Sequence, residues 1–126
     1  MKQPMMLTVP AGKEWVLVLR MAAAGVGALY NLPVDVLDDL ATAIEESCDL
    51  LLHQDYVAAS LTMKCCLNCE GLSMCISASE RVCQPCDEAA DADIAKLILQ
   101  PLVKEVQLDQ DENGVHCVHL TLPAKG

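Results

Sequence analysis

A two-layer α/β (α+β) sandwich, with a mixed and largely antiparallel sheet carrying its helices on one face, is the fold class this sequence predicts. Three observations predict it. One long segment, 33–54, has helical periodicity. Two pairs of segments alternate apolar and polar residues around turn signals. The elements also read in the order βααββαββ, with no Ser/Gly linker or repeat dividing them.

The elements follow in order. Met5, Leu7 and Val9 alternate with Met6 and Thr8 as a first strand ending at Pro10-Ala11-Gly12. Glu14 to Tyr30 reads as a helix whose second half is weakened by Gly25 and Gly27. In the long helix, Leu37, Leu40, Ile44, Cys48 and Leu51 recur at three- and four-residue steps, a buried stripe. Asn31 or Asp35 can cap its start, Pro33 suits its first turn, and Asp35, Asp38 and Asp39 complement its dipole. Its other face is predicted to carry Asp39, Thr42, Glu46 and Leu50. Leu61, Met63 and Cys65, then Leu72, Met74, Ile76 and Ala78, alternate with smaller or polar residues around an Asn68-Cys69-Glu70-Gly71 turn: a hairpin. Ser79 to Asp91 is polar and reads as a loop. Asp91 or Asp93 opens a helix running through Ala95, Leu97, Ile98, Leu99 and Leu102, with Pro101 deleting one hydrogen bond of its last turn. Val106 and Leu108, a turn at Asp109 to Gly114, and Val115 to Leu122 form a closing hairpin.

Composition bounds the function. A chain of 126 residues reads as a single domain, 1–126, with one core, and 53% hydrophobic residues exclude disorder. With no Phe, two Tyr and one Trp, that core must be aliphatic; Met1, Met5, Met6, Met21, Met63 and Met74 are expected as filler. A net charge of −10 repels nucleic-acid phosphates and anionic membrane surfaces. The apolar run Met21 to Leu29 is too short to span a bilayer and no signal peptide is apparent, so the expected setting is cytoplasmic.

The run Trp15-Val-Leu-Val-Leu-Arg20-Met-Ala-Ala-Ala-Gly25-Val-Gly27, followed by Leu32-Pro-Val-Asp-Val-Leu-Asp-Asp-Leu-Ala-Thr-Ala-Ile-Glu-Glu-Ser-Cys48, resembles the anti-sigma-factor serine/threonine kinases of the histidine-kinase-like ATPase superfamily. The family's A-V-x-E-A-C-x-N helix motif corresponds to Ala43-Ile44-Glu45-Glu46-Ser47-Cys48-Asp49-Leu50. The resemblance implies a histidine-kinase-like ATPase fold, a sigma factor or an anti-anti-sigma protein as partner, and dimerisation.

It also implies where catalysis and ATP would be handled. Glu46 matches the family's general base toward a substrate serine, a role that needs a carboxylate beside the hydroxyl. The magnesium-binding asparagine is replaced by Leu50, which offers no oxygen. The adenine-reading aspartate falls at Ala78 and its glycine at Glu80. The phosphate-cradling Gly-Leu-Gly-Leu run falls near Asp93-Ile94-Ala95-Lys96, without a glycine and with an acid that repels phosphate. The expectation is an eroded ATP–magnesium site and a regulatory protein acting by protein–protein binding. The alternative is a working ATP-dependent kinase.

Eight cysteines raise a third class. Cys66-x-x-Cys69 and Cys83-x-x-Cys86 have the spacing of a four-thiolate zinc site. However, a strand over Leu72 to Ala78 carries the chain roughly 23 Å away from the hairpin tip, so one shared site requires a full reversal. Cys48, Cys65 and Cys117 read as small core hydrophobes. A Cys83–Cys86 redox pair is disfavoured by Asp87 and Glu88, which raise thiol pKa. His53 reads as a capping or surface residue, and strand parity puts His116 and His119 on opposite faces.

Overall fold

The computed structural model describes residues 4–68 and 71–122. Strand β1 (Met5–Pro10) leads through a 3-10 turn at Lys13–Trp15 into helix α1 (Val16–Leu29), and α2 (Val34–Leu52) follows. Tyr56–Val57 form β2, and the first hairpin is β3 (Ser60–Asn68) with β4 (Gly71–Ser79). Val82–Cys83 form β5, Ala92–Leu99 form α3, and the last hairpin is β6 (Glu105–Asp111) with β7 (Gly114–Leu122). Setting aside the two-residue strands, this is the expected βααββαββ order. The main sheet is ordered β1-β3-β4-β7-β6 with every neighbour antiparallel, and β2 and β5 pair separately. The α/β sandwich is therefore present. Met1 and the turn residues Cys69 and Glu70 lie outside the described residues.

The aliphatic core sits between the helices and one face of the sheet. Leu40, Ile44, Cys48 and Leu51 of α2 meet Leu61, Met63 and Cys65 of β3, Leu72, Met74 and Ile76 of β4, and Val118, Leu120 and Leu122 of β7. The alternation that predicted each strand is the alternation that buries it. Gly27 lets α2 approach α1 closely: a methyl group there would meet Leu37 Cδ2 at 2.5 Å. Two methionines are not filler, since Met6 and Met21 are exposed, whereas Met63 and Met74 are buried. Among the described residues no helix is long and apolar enough to cross a membrane.

Several local expectations are corrected. Asn31 does not cap α2; with φ +61° it closes α1, its N–H donating to the Ala28 carbonyl while Leu32 N–H donates to that of Gly27. Nor does Asp35 cap: Pro33 precedes the first turn of α2, and no side chain caps it. Pro101 does not sit inside α3, which ends at Leu99; proline cannot continue the ladder, and the chain turns. The closing hairpin turns more tightly than Asp109 to Gly114, because β6 reaches Asp111 and pairs with Gly114.

The Ser79–Asp91 connection is pinned rather than free. β5 pairs with β2, Gln84 N–H donates to the Asp55 carbonyl, Cys86 N–H to the Asp55 carboxylate, and Ala90 N–H to the His53 carbonyl. Gln54, just past α2, ties this connection to the sheet. Its amide nitrogen donates to the carbonyls of Leu50, His53 and Ala90, and its Oε1 accepts from Val115 N–H at 2.9 Å. The β4–β7 ladder ends at Ser77–Cys117, and beyond it Val115 is served by side chains: Tyr56 OH donates to its carbonyl at 2.7 Å. Gly114, at φ +111°, packs so closely on Gln54 that a Cβ would collide with Oε1.

Gln54→Ala removes these bonds from a buried position, and each buried group left unpaired costs about 1–3 kcal/mol. The expected loss is about 2–4 kcal/mol, read from the urea midpoint at unchanged slope. A loss below about 0.5 kcal/mol would show that the knot is not a stabilising feature.

Candidate functional site

Among the described residues, two regions bring chemistry-bearing side chains together, one on each side of the sheet. On the helical side, Glu46 is half-buried between two depressions. A groove of about 690 Å³ is walled by Lys13, Arg20, Glu45, Glu46, Asp49 and His53 among others. A cleft of about 140 Å³ lies between α2 and α3, lined by Glu46, Asp49, Leu50, Asp91, Ile94 and Ala95 among others. Leu50 is not on an outward polar face with Glu46, as its helical position suggested; it is 1% exposed and belongs to the core. Ala78 is buried in β4 opposite Leu61. Glu80 is exposed and holds φ +54°, a conformation that glycine adopts without cost.

The start of α3 is occupied by the protein's own acid. Asp91 Oδ1 accepts from Asp93 N–H at 2.8 Å and from Ile94 N–H at 3.2 Å. These are the amides a phosphate would use at a helix start, and Asp93 adds negative charge beside them. Ala95 is buried one turn further on. Of the helical-side candidates, Glu46, Leu50 and Ala95 line one small cleft beside the self-capped α3, whereas Ala78, Glu80 and Asp93 do not line it.

Among the described cysteines of the two C-x-x-C motifs, Cys66 and Cys83 do not converge. Cys66 pairs with Ser73 near the β3–β4 turn, whereas Cys83 pairs with Tyr56 beyond the far end of β4. The strand between Ser73 and Ser79 alone spans roughly 20 Å. Cys83 Sγ instead donates to Asn113 Oδ1 at 3.4 Å, and Cys69 lies outside the described residues.

A different set meets on the sheet face turned away from the helices. One row of the ladder reads Lys64, Cys75, His119, Gln107, and the next Thr62, Ser77, Cys117, Asp109. The Cys75, Cys117 and His119 ligand atoms all lie within 4.8 Å of one another. His119 Nε2 is 3.4 Å from Cys117 Sγ and 2.7 Å from Asp109 Oδ2. Cys48 and Cys65 are core thiols as expected, with burial pushing them up to about 12 and about 11. Cys117 is buried but is not mere filler, because it hydrogen-bonds Cys75. That bond, aided by His119 and Lys64 against the cost of burial, lowers the Cys75 thiol to about 6. The same bond pushes Cys117 far up, since its proton is shared with a thiolate. The hydrogen bond from His119 holds the Asp109 carboxyl below its usual range.

Strand parity, expected to put His116 and His119 on opposite faces, does not run unbroken between them. Register slips between Asp109–Cys117 and Gln110–Val115, leaving His116 as the extra residue of a bulge, and both imidazoles act on Asp109. The cross-strand thiol pair was missed because Cys75 and Cys117 are 42 positions apart. The only local trace was Cys117-x-His119, two residues that share a strand face.

No protein-family model matches the chain, and no curated protein matches it.

The shared proton fixes a pH profile for metal-free, reduced protein. Between about pH 6 and pH 9 the folded pair has lost one proton that the unfolded chain keeps, so stability rises with pH. Above pH 9 the unfolded chain loses both while Cys117 keeps its own, so stability falls. Iodoacetamide labelling of Cys75 is expected to titrate near pH 6; a midpoint in the ordinary thiol range would refute the pairing.

Proposed function

We propose that the chain is a regulatory domain similar to the anti-sigma factors of the histidine-kinase-like ATPase superfamily, acting by protein–protein binding without ATP. The partner class is a sigma factor or an anti-anti-sigma protein, by resemblance. The observation that carries protein binding is helix α1. It is apolar all round, Arg20 being its one charged residue, yet only one side packs on the domain through Leu19, Ala23 and Gly27. Leu17, Met21 and Leu29 are 55%, 66% and 71% exposed, and Val18 stands beside them. A helix of this composition is normally covered, and an uncovered apolar stripe marks a docking surface.

Loss of nucleotide binding is supported independently by the α2–α3 cleft. Leu50 stands in the core where magnesium would need an oxygen ligand, and Asp91 occupies the amides that a phosphate would need. The element order and the left-handed backbone at Glu80, where the family has glycine, support the fold relationship. Glu46 has no bound nucleotide to serve in this reading and acts as a half-exposed helix carboxylate.

Calorimetry on metal-free, reduced protein tests the nucleotide half. No heat of binding is expected at millimolar ATP with magnesium, and a magnesium-dependent isotherm lost in Glu46→Ala would put the kinase reading in front. For the docking half, Leu17→Glu combined with Met21→Glu should weaken binding of a candidate sigma-factor or anti-anti-sigma partner at least about tenfold, about 1.4 kcal/mol. Thermal stability should stay within about 0.5 kcal/mol, as for ordinary surface changes. Unchanged affinity would remove α1 as the docking face.

A further inference from the structure

We propose that Cys75, Cys117 and His119 form a zinc(II) site on the sheet face away from the helices, with Asp109 closing the fourth position. The site is separate from the helical-side cleft and does not depend on how that cleft is read.

Geometry carries the assignment. Zinc bonds of about 2.3 Å to sulfur and 2.0–2.1 Å to nitrogen, at tetrahedral angles, place two sulfurs about 3.8 Å apart and sulfur about 3.5 Å from nitrogen. The three ligand atoms here fall within 4.8 Å of one another, and Cys117 Sγ is 3.4 Å from His119 Nε2. One ion therefore reaches all three with small side-chain adjustments. A disulfide would need the two sulfurs drawn to about 2.05 Å, and it would leave the imidazole without a role.

The donor types select the metal. Two thiolates and an imidazole disfavour calcium and magnesium, which take oxygen ligands, and suit zinc. Asp109 Oδ2 is 2.7 Å from the same Nε2 that faces Cys117, so a metal on Nε2 displaces the bond between them. Asp109 stands outside the group of mutually close ligand atoms, so its carboxylate must swing from the imidazole toward the sulfurs to close the fourth position. Charge is also arranged for a cation. Two thiolates and Asp109 bring three negative charges to one ion, and Lys64, opposite Cys75, offsets part of the surplus. Both thiols bind zinc as thiolates, so any proton still held by either sulfur is released to solvent as its S–Zn bond forms.

The ligands come from three adjacent strands, with Cys75 on β4, Cys117 and His119 on β7, and Asp109 on β6. Zinc would clamp the middle of the sheet to its β6 edge. With four protein ligands the site is structural rather than hydrolytic.

Reduced, chelator-stripped protein is titrated with zinc against a chromophoric chelator, and in parallel with cobalt(II). One equivalent should bind, with a raised melting temperature and a cobalt spectrum showing thiolate charge transfer and tetrahedral d–d bands. Cys75→Ser and His119→Gln should abolish stoichiometric binding, Asp109→Asn should weaken it about 10–100-fold, and Cys83→Ser with Cys86→Ser should leave it intact. Circular dichroism checks that each variant folds, and the wild-type cobalt spectrum stands even if one does not. Failure of wild type to bind a stoichiometric ion, a six-coordinate oxygen-type cobalt spectrum, or loss of binding only in the Cys83 and Cys86 variants would overturn the site.

Discussion

The side-chain amide of Gln54 holds together parts of this fold that no ladder joins. α2 and the sheet each account for their own backbone groups, but the place where β4 parts from β7 leaves the N–H and C=O of Val115 facing inward without a strand. A buried amide left unpaired there would cost more than most single contacts contribute. Gln54 and Tyr56 take over the positions a strand would have filled, and the same Gln54 nitrogen fastens the connection before α3 through Ala90. Through Ala90 the same knot borders the cleft beside Glu46, while Ala95 and Leu99 seat α3 in the core.

Much of the architecture was legible because it rests on period. The α2 stripe and the β3, β4 and β7 alternations each bury the residues their spacing selects, so the sandwich and its element order could be read directly. What was not legible depends on groups that meet only after folding. β2 and β5 are two residues each, too short to show a period, and exist because Asp55 and Gln54 gather the chain around them. Asn31 and Pro33 carry capping signals for both helices they separate, and only the left-handed backbone at Asn31 decides that it ends the first. Leu50 follows the helical period toward the outside of α2 but is buried, because α3 lies over that face. The candidate site was half legible. Glu46 could be singled out as a candidate by motif, while the thiol pair required the cross-strand register.

The two faces of the sheet differ in what they leave open. On the helical side the backbone groups at two helix ends are answered from within, by Asp91 at the start of α3 and by Gln54 at the end of α2; what stays open there is the charged groove beside Arg20 and Glu46 and the apolar stripe of α1. On the other side the residues are small and polar, with Thr8 and Thr62 bonded hydroxyl to hydroxyl, and the reactive atoms gather near the centre around Cys75. A thiol is stabilised as thiolate here by its neighbours' hydrogen bond and charges rather than by a helix start. The domain thus offers a dry surface and a nucleophilic one, separated by its own core.

The extra residue at His116 sets how this hairpin can change in length. In a regular strand, residues three apart face opposite ways, yet Val115 and Val118 both point into the core because the bulge lies between them. Deleting His116 would restore a regular ladder and leave Val115 two places from Val118, both still facing the core. Deleting a residue closer to the sheet centre would invert the remainder of β7 and expose its leucines. Within this hairpin the bulge at His116 and the exposed Glu112 can change length without inverting that phase, whereas Asn113 is held by Asp55 N–H and by Cys83. Length changes tolerated in this hairpin should concentrate at those two places.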